Sequence, residues 1–160
     1  MSEMPSYISV QEEDFRLQDE YDLLRSTTSG AIVTFTGLVR EFNQAGDSAQ
    51  VDKLFLQHYP GMTENLLQKI IDEAAERWPL DGVRVIHRVG PLAPGDQIVL
   101  VAVSSAHREA AFNGASFLMD YLKTRATFWK KTISGQQQQW LEMKDSDKKA
   151  AKRWQKDSQQ

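Results

Sequence analysis

The sequence predicts an α+β fold: an α/β sandwich with a mixed or antiparallel sheet and two long helices. Three observations predict it. GAIVTFTGLVR (30–40) is dense in β-branched residues, QIVLVAVSSA (97–106) is almost wholly apolar through Val103, and between them a stretch from Thr63 repeats apolar residues every three or four positions. Strands interspersed with long amphipathic helices pack as a sheet layer against a helix layer.

Taken in order, the first strand is expected over Ala31 to Val39. The polar segment EFNQAGDSAQ (41–50) is long for a hairpin connection, and VDKLFLQHY (51–59) reads as the second strand. Pro60-Gly61 makes a turn. Leu66, Leu67, Ile70, Ile71, Ala74, Ala75 and Trp78 then form one face of a helix that Pro79 ends. GVRVIHRVG (82–90) is a strand, PLAPGD (91–96) a turn, and 97–106 a central strand covered on both faces.

A second long helix is expected from Ser105, as cap, to Arg125, burying Phe112, Ala115, Met119, Leu122 and Ala126. Phe128 to Ile133 reads as extended, SGQQQQ as a loop, and the tail as a marginal helix that needs a packing partner.

Composition removes several function classes. The 160 residues, 41% of them apolar, suit a single domain with a real core. A net charge of −3 argues against non-specific nucleic-acid or acidic-membrane binding. No apolar run approaches the roughly 20 residues that span a bilayer, and the acidic N-terminus has no signal-peptide stretch, so a cytoplasmic chain is expected. With no cysteine there is no disulfide, thiolate nucleophile or cysteine-ligated metal. His58, His87 and His107 are too scattered to suggest a metal centre, and none is expected.

Charge points to a site. Between Tyr121 and Leu141 there is no Asp or Glu, yet Lys123, Arg125, Lys130 and Lys131 all lie there. Cations on a packed scaffold without counter-charges make an anion site, and crowding of like charges disfavours protonation, suiting a lysine to act as acid, base or nucleophile. A solvated basic face would have the same spacing. His107 and Arg108 fall in the first turn of the second helix, where free N–H groups serve a phosphate, or where His107 simply caps or packs. Arg40 ends a strand beside the polar segment. His58, His87 and Arg88 read as structural, and Met62 and Met119 as core filling.

Together, VTFTGLVR (33–40), LQHYPGMTE (56–64), RWPLDGVRVIHRVGPLAPGD (77–96), VSSAHREAAF (103–112), MDYLKTRATFWKK (119–131) and DSDKKAAKRW (145–154) resemble the MoaE family, the catalytic large subunits of molybdopterin synthase. The resemblance spans about 30 to 154; residues 1–29 match loosely, and 145–160 form a C-terminal tail. It implies a hammerhead-like sandwich and an enzyme, a sulfurtransferase, that converts cyclic pyranopterin monophosphate into molybdopterin by installing a dithiolene. The sulfur is implied to arrive as the C-terminal Gly-Gly thiocarboxylate of a small ubiquitin-like carrier, which accords with a chain lacking thiols. No permanently bound cofactor is implied, the pterin being substrate.

Carried over by position, the family's catalytic lysines correspond to Lys123 and Lys130, and its substrate-binding positions to Leu38, Val39, Arg40, His107, Arg108, Lys131 and Thr132. The chain departs from the family where Leu38 replaces a frequent lysine and Thr127 a frequent proline. His107 and Lys123 are sixteen residues apart on one expected helix, about 24 Å and about 160°. One small pterin does not reach both, so either the helix breaks or a homodimer, within a heterotetramer, shares the site. The competing readings are a non-catalytic module that binds the tail of a ubiquitin-like protein, and a phosphate-ester enzyme without a protein partner.

Overall fold

The computed structural model describes residues 4–41, 53–126, 128–134, 137–141 and 145–155, the side chains of 131–141 and 145–147 excepted. Eight strands and four helices are present among them. They are β1 (Ser6–Gln11), α1 (Leu17–Leu24), β2 (Ala31–Leu38), β3 (Lys53–His58), α2 (Met62–Arg77), β4 (Leu80–Arg88), β5 (Gly90–Leu92), β6 (Gln97–Ser105), α3 (Arg108–Arg125), β7 (Phe128–Ser134), β8 (Gln137–Leu141) and α4 (Asp145–Lys152).

The strands form two sheets, in the orders β1-β4-β6-β2 and β5-β3-β7-β8. The first is mixed, since β1 runs parallel to β4 while the other pairs are antiparallel; the second is wholly antiparallel. The expected α+β sandwich is therefore present, with its strands divided between two sheets.

β6 is the central strand that its composition predicts. Leu100 to Val103 are fully buried, Val101 and Val103 on the face packed with α2 and α3, Leu100 and Ala102 on the other with Phe15 and Ile86. α1 closes that second face, tied by Glu20 to the Arg84 guanidinium at 2.5 Å, over which Tyr7 stacks at 4.1 Å.

α2 starts where Gly61 takes φ +87°, a conformation that favours glycine, and the Glu64 carboxylate accepts the Gly61 N–H. It ends before Pro79, which cannot continue a helix.

Several sequence expectations need correction, among them Met62, which is 55% exposed at the start of α2 instead of filling the core. α3 begins at Arg108 with His107 as its cap; Ser105 ends β6, its hydroxyl donating to the Pro79 carbonyl. Phe112 is 60% exposed, because the helix buries the Ala111, Ala115, Leu118, Leu122 stripe and the neighbouring Gly114, Phe117, Tyr121 row. Within 91–96 the chain forms part of β5, paired with β3, before it turns. Gln137 to Gln139, expected in a loop, belong to strand β8: pairing with β7 satisfies their backbone, which composition does not reveal.

The tail helix finds the partner it needs. Trp154 packs edge-on against Trp78 and Phe117, and its indole N–H, with the Arg153 guanidinium, donates to one carboxylate oxygen of Asp120 on α3.

Candidate active site

Two structural features bring the C-terminal end of α3 and the start of β7 to one cleft. The first is an unbroken α3, which carries Lys123 in its last turn. The second is the register of β7 on β3, with Phe128 opposite His58 and Lys130 opposite Leu56. Phe128 and Lys130 are two apart on a strand, so they share a face, the one turned toward the first sheet. Trp129, between them, faces outward and stacks edge-on with Tyr59, ring centroids 4.4 Å apart.

The cleft has a volume of about 300 Å³, and its wall is β2 and β6. Gly37 opposes Val99 while Leu38 opposes Gln97, so Ile98 is the extra residue of a bulge. The chain then leaves the sheet through Val39 and Arg40. Val39 is held on both backbone groups: its N–H donates to the Asp96 carbonyl at 2.9 Å, and its carbonyl accepts from Gly95 at 2.7 Å. The Asp96 side chain in turn accepts the Ala93 N–H at 2.8 Å. A closed turn thus fixes where Arg40 emerges.

Five of the residues singled out in the sequence line this one cleft: Leu38, Val39, Arg40, Lys123 and Lys130. They come from 85 residues apart or more in some pairs, for example Leu38 and Lys123. Leu38 is 57% exposed at the rim. The arrangement gathers three cationic side chains around an opening with apolar walls, which can hold an anionic group and keep water away from it.

Other expectations fall elsewhere. His107 and Arg108 are exposed at the opposite end of α3. With the helix continuous, about 24 Å of axial rise separates His107 from Lys123, and one chain does not bring them together. Lys131 and Thr132 occupy β7 opposite Phe55 and Leu54, but their side chains lie outside the described residues, as does Thr127 altogether. Arg125 leaves the basic cluster: Glu73 on α2 takes it in two contacts of 2.8 and 2.9 Å, and it lies over Tyr121 at 3.9 Å. The segment 42–50, most of the polar connection, is outside the described residues.

A larger pocket, about 600 Å³, opens on the outer side of the second sheet between Phe55, Gln57, Tyr59, Trp129 and Glu12, and neither Lys123 nor Lys130 lines it.

One residue near the cleft, His87, reads in the sequence as structural and not as part of the site. His87 is buried, 4% exposed, and its ring stacks on Phe128 at 3.8 Å. Burial is the main force that lowers its pKa to about 3, and the charges of Lys123, Lys130 and His58 act in the same direction. In the sequence it is one of four polar or charged residues in its strand, with Asp81, Arg84 and Arg88, and nothing there sets it apart.

Comparison with known proteins adds a family. The model described as "MoaE protein" matches residues 10–125. A Vibrio cholerae protein named molybdopterin synthase catalytic subunit is 55% identical over 152 residues, covering 94% of this chain and 99% of that one. A solved structure described as molybdopterin cofactor biosynthesis protein E from Burkholderia multivorans superposes with a TM-score of 0.78 at 44% identity, covering 94% of this chain and 97% of that one. At 17% identity and a TM-score of 0.69, a chain from the complex of subunits 1 and 2 of the Helicobacter pylori molybdopterin-converting factor shares the fold, covering 86% of this chain and 90% of that one.

Proposed function

The chain belongs to the MoaE family, and on that premise we propose that it works as the catalytic subunit of a molybdopterin synthase, with Lys123 and Lys130 as its catalytic groups. The observation that carries the reading is the cleft shared by those two lysines and Arg40.

The substrate of this proposal is cyclic pyranopterin monophosphate, and the sulfur donor is the C-terminal thiocarboxylate of a small ubiquitin-like carrier subunit. Each transfer forms a bond from the carrier's sulfur to a carbon of the pterin side chain as a carbon–oxygen bond at that carbon breaks, the oxygen leaving as water or with the phosphate of the opened ring. Water adds to the acyl carbon, the acyl–sulfur bond breaks, and the carrier leaves as a carboxylate. Two transfers complete the dithiolene. The chain's part is electrostatic. The ammonium groups of Lys123 and Lys130 hold the thiocarboxylate and stabilise the oxyanion that develops at the acyl carbon, in a cleft whose apolar walls strengthen the interaction. A cleft of about 300 Å³ suits a glycine tail, which has no side chains to admit. The setting for the reaction is the cytoplasm.

The phosphate of the pterin needs its own cations. Arg40 serves from within the cleft, and His107 and Arg108 serve from a second copy of the chain. The support for a shared site is the rigid separation that α3 imposes: its two ends meet one small substrate only if two helices lie antiparallel across a homodimer. The assembly is then a heterotetramer, two large subunits with two carriers. Lys131 and Thr132, next to Lys130 on β7, complete the proposed substrate set.

Incubation of the purified chain with a thiocarboxylated carrier and the cyclic pterin tests the reading. Dithiolene product dependent on all three components supports it. Turnover of the pterin without the carrier, or carrier binding without product, would replace it.

A further inference from the structure

We propose that His87 is a positioning residue for Lys130: its ring, wedged between the two sheets and stacked on Phe128, fixes the start of β7 and so the place of the amine two residues on. The proposal rests on the reading of Lys130 as a catalytic group.

The register of the first sheet puts His87 in a single row, Val10–His87–Val99–Gly37, across β1, β4, β6 and β2. Directly paired residues share a face, and Val99 and Gly37 are cleft wall. His87 therefore stands one strand behind that wall, on its side of the sheet. Its neighbour across the gap is Phe128, with ring planes 18° apart and centroids at 3.8 Å. Phe128 and Lys130 rise from the same face of β7, so whatever holds the phenyl ring also holds the strand segment that aims the amine.

The imidazole has a second constraint that a phenyl ring would lack. Its Nδ1 lies 2.9 Å from the Arg88 carbonyl oxygen, an acceptor, so Nδ1 carries the proton and the ring is fixed against rotation. Arg88 is itself anchored, donating to the Glu12 and Gln97 carbonyls at 3.0 Å. The chain of restraint runs from β1 and β6 through Arg88 and His87 to Phe128 and β7. A neutral ring also adds no third cation behind two ammonium groups, which a lysine or arginine at this position would do.

The test uses the full-length chain and two readouts. A short aryl bis-electrophile that joins two amines reports, by peptide mapping, whether Lys123 and Lys130 still share one cleft; this needs no substrate. Steady-state turnover with thiocarboxylated carrier gives kcat and KM. For His87→Ala, the Lys123–Lys130 cross-link is expected to fall several-fold and kcat to drop about 10- to 100-fold with KM for the carrier within about twofold, as misplacement of a reacting group by about an ångström would give. His87→Phe, which restores the stack, is expected to recover the cross-link and most of kcat. Should His87→Ala fail to fold, His87→Phe and His87→Gln carry the comparison, the first cross-linking like the native chain and the second not. The proposal is overturned if His87→Ala, or His87→Gln in its place, cross-links normally, or if His87→Phe is as impaired as the variant without a stack. If the cross-links behave as expected while even the native chain makes no dithiolene, it is the functional reading that fails, not the positioning role.

Discussion

Lys123 and Lys130 line the same cleft although one ends a helix and the other begins a strand, so the short link between α3 and β7 is what makes them a pair. Each approaches from a different element, and neither can be replaced by a shift of the other.

Lys123→Ala is expected to lower kcat by at least about 100-fold, the scale of losing one preorganised charge at an oxyanion. Carrier affinity, measured by calorimetry, and the far-UV spectrum should stay close to native. Near-normal turnover would remove Lys123 from the mechanism. Lys130→Arg separates chemistry from simple charge: a module that only binds a carboxylate tail tolerates the guanidinium, whereas a lysine that transfers protons does not, since arginine stays protonated.

Mixed dimers test the shared site. An Arg108→Ala chain and a Lys123→Ala chain, each inactive alone, should regain about a quarter of native activity after mixing and re-equilibration, since half the dimers are mixed and each has one intact site. No recovery, with exchange verified by mass, would confine each site to one chain.

The clamp on Asp120 gives a stability prediction. Its carboxylate accepts from Arg153 and Trp154 and is mostly buried, so Asp120→Ala should cost about 2 kcal/mol in urea denaturation and release the C-terminal helix to proteolysis. By contrast, the Glu73–Arg125 pair is about 40% exposed on both sides, and Glu73→Ala should cost well under about 1 kcal/mol, less in high salt.

Acid should destabilise the fold through His87. The unfolded imidazole takes up a proton near 6.5, the folded one only near 3, so in that interval the unfolded state binds more protons and stability falls with falling pH. Between about pH 7 and about pH 5 the native chain should lose about 2 kcal/mol more than His87→Phe. Asp14 adds to the loss at lower pH: Gln97 chiefly holds its pKa below 3.8, and that stabilisation disappears as the carboxylate protonates. Equal pH dependence of the two proteins would show that His87 is not held neutral.

Much of this was legible in the sequence because it depends on period and composition. The apolar run of β6 and the helix spacing of α2 announce themselves, and the resemblance to a family brought Lys123, Lys130 and Arg40 together before any coordinates did. What stayed hidden depends on long-range pairing. β8 is a strand only because β7 lies beside it. Phe112 has the right spacing for a buried stripe, yet the sheet meets α3 on the face of Ala111 and Leu118. Arg125 looked like a member of the basic cluster because its carboxylate is 52 residues away. His87 shares its strand with Asp81, Arg84 and Arg88, and only the fold reveals the ring it rests on.

Trp129 and Lys130 are neighbours in the chain and face opposite sides of β7. If that strand slid along β3 by one position, hydrogen bonding would survive and spectroscopic β content would hardly change, yet an indole would fill the cleft and the amine would dangle outside. A one-residue insertion or deletion just before Phe128 should therefore leave a protein that looks healthy and does no chemistry.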